Sequence, residues 1–259
     1  MPKRLDSLFK SYNLPITRQA NYSTTLLPFI DSPKRWIFFP PKDTVNVNKC
    51  MSDLLQMRTE LVSADKSNTF WTLVLDNLIQ QTQAVLITFK TGKPANNERD
   101  IQMAKNLKWL IEHKFKGQKI IVWAASAHVA KSLTNMKQAF FSNQQTMGDN
   151  LVKALDKAYP VYVLGFTSYQ GTAGRLGNKA YKLNPPRSNA FENWIDKNYK
   201  YAFVDFDQFN SLNPNAQEDF YMMGLGHRDY EGKWNLIYDG VFYIKDMYPC
   251  VRNADLKIN

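Results

Sequence analysis

Two neighbouring stretches decide the fold of this chain: residues 97–110, NERDIQMAKNLKWL, and residues 119–128, KIIVWAASAH. The first stretch has apolar residues at helical spacing with a polar face beside them, so it predicts an amphipathic helix. The second is a short apolar run that follows Gly117 and ends in small residues. This pattern predicts a central strand over residues 119–124 that is covered on both faces.

His128 is the first candidate site residue because of its position after this predicted strand. In open α/β sheets, ligands bind outside the carboxyl ends of the strands. We therefore expect His128 at a ligand site, with the helix that carries Arg99 packed beside the strand. His227 and Asp239 are too isolated from other candidate residues to be assigned a role, and Ser126 has no Gly-x-Ser-x-Gly context that would indicate a serine hydrolase.

Further blocks follow the two stretches in a fixed order. They are Met147-Gly148-Asp149-Asn150-Leu151, Tyr162-Val163-Leu164-Gly165-Phe166-Thr167, Gln170-Gly171-Thr172 and Tyr238-Asp239-Gly240-Val241-Phe242-Tyr243-Ile244. Together with Arg-Asp-x-x-Met-Ala-x-Asn-x-x-Trp-Leu, which begins at Arg99, they cover about residues 85–250. This order of blocks resembles the erythromycin esterase family, metal-independent hydrolases that open macrolide lactones.

The resemblance implies a fold, a site and a ligand class. The implied fold is α/β, with a parallel or mixed central sheet flanked by helices and a long helical excursion that forms one wall of the cleft. The implied catalytic residues are His128 and Arg99. No cofactor and no metal are implied, and the implied ligand is a small-molecule ester or lactone.

Two departures from the family pattern bear on activity. The family's strand ends in Trp-Ala-His-Asn-x-His, but this chain has Ala125 at the first of those histidines and keeps only His128. The family's Gly-Glu-x-x-His-Gly segment, whose histidine is the proposed base that activates water, does not occur in these 259 residues. We therefore expect a hydrolase homologue that is degenerate or the C-terminal portion of a longer protein. The alternative is a non-catalytic binding or interaction module on the same scaffold.

The chain reads as one esterase-like domain over residues 1–259 with three regions. Residues 1–42 form a basic opening that holds half of the 12 prolines, residues 51–115 are helical, and residues 119–250 alternate strands and helices. The predicted helices cover residues 51–62, 67–89, 146–159 and 189–196. The predicted strands cover residues 119–124, 161–167 and 201–205, with one or two more over residues 234–244. The spacing Gly171-x-x-Gly174-x-x-Gly177 is not a dinucleotide fingerprint and predicts a flexible loop beside the cleft.

Charge and composition limit the classes of partner. The net charge of +10 and the pI of about 9.4 raise nucleic acid as a partner, but no basic run exceeds two residues, so we expect no nucleic-acid site. No apolar run is long enough for a membrane helix, and no signal peptide is visible at the N-terminus, which favours the cytoplasm. The two cysteines, Cys50 and Cys250, show no metal or redox spacing. Exposed strand edges in an incomplete sheet would lead to self-association.

Overall fold

The computed structural model describes residues 2–31, 44–67, 69–155, 159–216 and 218–251. Its Cα positions divide the chain into two compact units, Met1–Lys114 and Phe115–Asn259, and each is described by itself. The part of the predicted proline-rich opening that begins at residue 32 lies outside the described residues. The assignment of all 259 residues to one domain stays a prediction.

The first unit, Met1–Lys114, contains helices and no strand in its described part. Its α-helices are α1 (Pro2–Ser11), α2 (Leu27–Asp31), α3 (Val45–Ala64), α4 (Thr69–Thr91) and α5 (Asn96–Trp109). Short 3₁₀ and π segments complete it at Pro15–Arg18, Tyr22–Leu26 and Leu110–Lys114. Within the described residues of the whole chain, no helix is both long enough and apolar enough to cross a membrane.

The helical prediction for this unit is confirmed in its main elements. The predicted helices over residues 51–62 and 67–89 correspond to α3 and α4, and α3 begins six residues earlier than predicted, at Val45. Apolar residues at helical spacing point into one core because they recur on the same helix face. Leu54, Met57 and Leu61 of α3 are buried there with Leu75 of α4.

The polar residues of α5 hold this helix against α4. Asn106 and Asn77 form a reciprocal pair, in which each amide nitrogen donates to the other's oxygen at 2.7 and 2.9 Å. The indole nitrogen of Trp109 donates to the hydroxyl of Thr69 at 3.1 Å. The asparagine and tryptophan of the sequence pattern that begins at Arg99 therefore have a structural role at the interface between two helices.

The second unit, Phe115–Asn259, carries the strands. Its strands are β1 (Leu164–Ala173), β2 (Tyr181–Lys182), β3 (Tyr201–Asp205), β4 (Phe220–Leu225), β5 (Arg228–Gly232) and β6 (Gly240–Met247). Its α-helices are α6 (Ser126–Val129), α7 (Met147–Ala154), α8 (Phe206–Leu212) and α9 (Trp234–Ile237). The 3₁₀ segments are Leu133–Asn135, Ala139–Phe141 and Phe191–Asn193.

The central sheet is mixed, with strand order β2-β1-β6-β3. β1 runs parallel to β6, with Phe166 opposite Phe242, whereas β3 is antiparallel to β6 and β2 is antiparallel to β1. β4 and β5 form a separate antiparallel hairpin. A core of buried residues that includes Trp234, Tyr238 and Val241 packs within this unit. The predicted α/β class with a mixed central sheet is confirmed.

The predicted central strand over residues 119–124 is wrong. These residues adopt no strand, and Ile121 and Trp123 are 93% and 83% exposed. A short apolar run becomes a buried central strand only if other strands lie on both sides of it. Those strands are distant in sequence, so the run itself does not predict them. The run lies on the surface of the unit, where the ring of Trp123 contacts Phe166 of β1 at 5.6 Å between centroids.

Other predicted elements differ in extent. The strand predicted over residues 201–205 matches β3, but the one predicted over residues 161–167 continues as β1 to Ala173. Gly171 is therefore in a strand rather than in a flexible loop. It has a φ of 109°, and a Cβ there would lie 2.3 Å from the carbonyl oxygen of Met247, so the close pairing of β1 with β6 requires glycine. The helix predicted over residues 189–196 is a single 3₁₀ turn.

One face of the central sheet carries exposed aromatic side chains. Tyr201 and Phe203 of β3 are 62% and 53% exposed, and the rings of Tyr201 and Phe166 each contact Phe242. Exposed apolar area of this kind is usually buried by a partner, because its transfer from water is favourable.

We predict that the protein self-associates at micromolar concentration through this aromatic face. Trp123→Lys should shift the equilibrium towards monomer, because a charge beside Phe166 opposes burial of the face. Leu212→Lys is the matched control, since Leu212 is also exposed but lies in α8. The measurement is sizing with light scattering, and a monodisperse wild-type monomer would contradict the prediction.

His227 occupies a strained position in the turn between β4 and β5. Gly226 and His227 both have positive φ, 62° and 57°, as in the two-residue turns that match strand twist. Few residues other than glycine adopt this conformation. Nδ1 of His227 lies 2.9 Å from the hydroxyl of Ser168, which is 1% exposed. Burial lowers the pKa of His227 below its ordinary value of 6.5.

We predict that His227 makes stability depend on pH. Because its pKa is lower in the folded state, the unfolded chain binds more protons as the pH falls from about 6.5, and the folded state loses stability over that range. His227→Asn removes the titrating group, and asparagine tolerates positive φ. The variant should therefore weaken the dependence of folding stability on pH between about pH 6.5 and the lowered pKa. Urea unfolding across this range measures it. Leu212→Asn changes an exposed residue and no titrating group, so it is the control and should keep the wild-type slope.

Candidate active site around His128

His128 lies on α6, a single helical turn of four residues, and is half-buried. The backbone enters this turn through Ala125 in an extended conformation (φ −64°, ψ 144°), and the amide of His128 donates to the carbonyl of Ala125 at 2.8 Å. Ala125, at the family's first histidine, is exposed and presents only a methyl group. We call residues 125–131 the His128 turn.

The start of α7 packs against this turn. Thr146 caps α7, because its hydroxyl accepts from the amide of Asp149 at 3.0 Å. The same hydroxyl donates to the carbonyl of Ala130. A Cβ at Gly148 would lie 1.9 Å from the carbonyl oxygen of Val129, so only glycine allows the helix to approach this closely. Close packing against the turn thus explains why the block of residues 147–151 contains a glycine.

Tyr238 supports the turn from the side of the sheet. It is fully buried, and its hydroxyl donates to the carbonyl of Ser126 at 3.3 Å. Its ring lies over Gly165 of β1, where a Cβ would come within 2.6 Å of the ring. The glycine of one sequence block therefore makes room for the tyrosine of another.

An ion pair between Lys131 and Asp239 fastens the end of the turn. Nζ of Lys131 pairs with one carboxylate oxygen of Asp239, and the other oxygen accepts from the amide of Val163 at 2.7 Å. The amide of Lys131 also donates to the carbonyl of Ile237 at 2.9 Å. Val163 and Asp239 immediately precede β1 and β6, so these contacts lie at the amino ends of the two parallel strands.

The predicted position of His128 is therefore wrong in one respect. Residues 119–124, which precede it, form no strand, and its turn is held at the amino ends of β1 and β6 rather than beyond the carboxyl end of a central strand. What sequence reasoning identified correctly is the set of blocks: those around Gly148 and Asp239 contact the His128 turn, and the block around Gly165 packs against Tyr238, which bonds to the turn. Asp239 is one of the residues that hold it.

Arg99 belongs to the first unit, in the first turns of α5, and is exposed, whereas its neighbour Asp100 is buried. Each of Arg99 and His128 is thus placed within its own unit, and the catalytic role of both stays a prediction. His113, in the same unit as Arg99, stacks on Trp109 at 5.3 Å between ring centroids.

Glu192 is a buried carboxyl group that sequence reasoning missed. It is 1% exposed, and one of its oxygens accepts from the hydroxyl of Thr167 and from the amide of Met223 at 2.8 Å. Burial is the main cause that raises its pKa above the ordinary value of 4.5. No local pattern marks Glu192, because its partners are 25 and 31 positions away in sequence.

The described residues contain no group of three or more histidine, cysteine or acidic side chains that could hold a metal ion. Cys50 and Cys250 are both free thiols.

Comparison with solved structures gives the fold a context. A mutant of the erythromycin esterase EreC in its open conformation is 16% identical, with a TM-score of 0.68 over 98% of this chain and 67% of that one. A Bacillus cereus protein is 18% identical, with a TM-score of 0.61 over 94% and 62%. A succinoglycan biosynthesis protein is 16% identical, with a TM-score of 0.60 over 91% and 61%. The chain thus spans about two thirds of the length of these proteins.

No curated protein matches the sequence. The family model for erythromycin esterase matches residues 23–245, which include every block that holds the His128 turn. The chain therefore belongs to the erythromycin esterase family.

Proposed function

We propose that the protein is a hydrolase homologue whose cleft takes a small ester or lactone, with His128 and Arg99 at the site, and that these 259 residues alone do not turn such a substrate over. The observation that carries this proposal is the His128 turn. Its scaffold is complete, but Ala125 supplies no imidazole where the family has its first histidine.

The scaffold supports a retained ligand site. Gly148, Tyr238 and Asp239 hold the His128 turn through a close backbone approach, a hydrogen bond and an ion pair. Three contacts on a turn of seven residues hold its backbone in place, and a held backbone limits the positions that a binding or reacting side chain can take.

The other histidines do not replace the missing base. The family mechanism uses a neutral imidazole to activate water. Nδ1 of His227 is hydrogen-bonded to Ser168, a serine that is 1% exposed, so this ring nitrogen is occupied within the protein. His113 stacks on Trp109 in the first unit, and its Nδ1 lies 3.2 Å from the carbonyl of that residue.

We predict no hydrolysis of erythromycin or of short-chain nitrophenyl esters above background. Loss of a general base typically costs about a hundredfold to ten-thousandfold in rate. Ala125→His alone should not restore turnover, because a neighbouring imidazole does not replace a base that acts as part of one unit. Mass spectrometry of the lactone and absorbance of nitrophenolate measure the products.

Two variants test whether any observed hydrolysis depends on His128. His128→Ala tests the candidate residue, and His113→Ala is the control in the other unit. Turnover that disappears in His128→Ala and persists in His113→Ala would overturn the proposal, because His128 would then serve as the base unaided. Saturable binding of erythromycin without turnover would favour the non-catalytic binding module.

A further inference from the structure

A small cavity of about 250 Å³ lies in the second unit, away from the His128 turn. Its lining includes Tyr169 and Gln170 near the end of β1, and Tyr243 and Lys245 on β6. The parallel strands β1 and β6 both approach their carboxyl ends at these residues. The carboxyl ends of parallel strands are where open α/β sheets bind ligands, whereas the His128 turn is fastened at the amino ends.

Two ammonium groups border this cavity without a carboxylate partner. Nζ of Lys245 donates to the backbone carbonyl of Lys197 at 2.6 Å, so two of its three N–H groups remain available. Among the ion pairs of the described residues, none involves Lys197 or Lys245. An unpaired ammonium beside a cavity attracts anions, since no fixed carboxylate neutralises it.

The nearby acidic groups are occupied elsewhere. Asp246 accepts from the amide nitrogen of Gln170 at 2.7 Å. Glu192 also lines the cavity. One of its oxygens accepts from Thr167 and Met223, the other is buried without a hydrogen-bond partner, and burial raises the pKa of this carboxyl group, which favours its neutral form. The charged groups at the cavity that have no oppositely charged partner among the described residues are therefore the two ammonium groups.

The side chain of Tyr243 adds a neutral donor. The residue is only 2% exposed, and its hydroxyl forms no hydrogen bond within the described part of the chain. Burial raises the pKa of Tyr243, with the charges of Tyr169 and Glu192 as smaller contributions in the same direction. The phenol therefore stays protonated at neutral pH and can donate to an anion.

We propose that this cavity binds a small organic carboxylate, with Lys245 and Tyr243 as its donors and Lys197 at the entrance. The volume suits a small molecule rather than a cofactor, because drug-sized ligands occupy pockets from about 300 Å³ upwards. A carboxylate offers two acceptor oxygens, which an ammonium and a phenol can address together. The proposal does not depend on the His128 site, and it holds whether or not that site is active.

The first experiment titrates the complete chain with lactate and follows amide resonances by NMR. We expect saturable shifts of residues 169–170 and 243–246, with little change at residues 125–131. Methyl lactate is the matched neutral probe and should cause no saturable shift, because it lacks the carboxylate. Absence of saturable lactate shifts at millimolar concentration, or equal shifts with methyl lactate, would overturn the proposal.

Two variants and a second anion separate the contribution of Lys245 to binding from the effects of net charge and of anion type. Lys245→Met should weaken lactate binding about tenfold, since charge-assisted hydrogen bonds are among the strongest polar contacts. Lys182→Met, an exposed lysine on β2, is the control and should bind as the wild type does. Equal losses in both variants would mean that net charge alone attracts the ligand and would contradict the proposal. Tighter binding of inorganic phosphate than of lactate would contradict the carboxylate assignment.

Discussion

The second unit depends on the contacts that Asp239 makes. One oxygen pairs with Lys131 and the other accepts from the amide of Val163, while the backbone carbonyl of Asp239 accepts from the amide of Asp207 at 2.8 Å. A single residue thus joins the His128 turn, the start of β1 and the start of α8. Because removal of one partner leaves the other charge partly buried and unpaired, this contact costs more to break than an exposed ion pair.

Steric constraints explain three glycines of the second unit. Gly148 admits the carbonyl of Val129, Gly165 lies under the ring of Tyr238, and Gly171 admits the backbone of Met247. Each allows two segments to approach more closely than any side chain would permit. Close packing therefore constrains the backbone of the second unit at these glycines. At position 125, by contrast, the side chain is only a methyl group.

The sequence predicts elements well where local pattern decides them. The helix α4 and the strand β3 follow from periodicity within their own residues, and both are confirmed. The strand over residues 119–124 fails because burial of an apolar run depends on neighbours that the run itself does not specify. The cavity escapes sequence reasoning for the same cause. Tyr169 meets Lys245 only through the pairing of β1 with β6, and Lys197 meets Lys245 through a hydrogen bond that spans 48 positions. The position after a predicted strand and the family pattern both indicate His128, but the contacts that hold its turn come from residues 16 to 112 positions later in the sequence.

Hydrogen exchange of Asp239→Asn tests most directly whether this carboxylate organises the His128 turn. Asparagine keeps the size of the side chain and removes the charge, so the pair with Lys131 is lost while packing stays the same. The account predicts faster exchange at the amides of residues 128–131 and 163, with unchanged exchange in α3 and α4. Asp246→Asn, near the opposite end of β6, is the control and should leave residues 128–131 protected. Wild-type protection of those residues in Asp239→Asn would contradict the account.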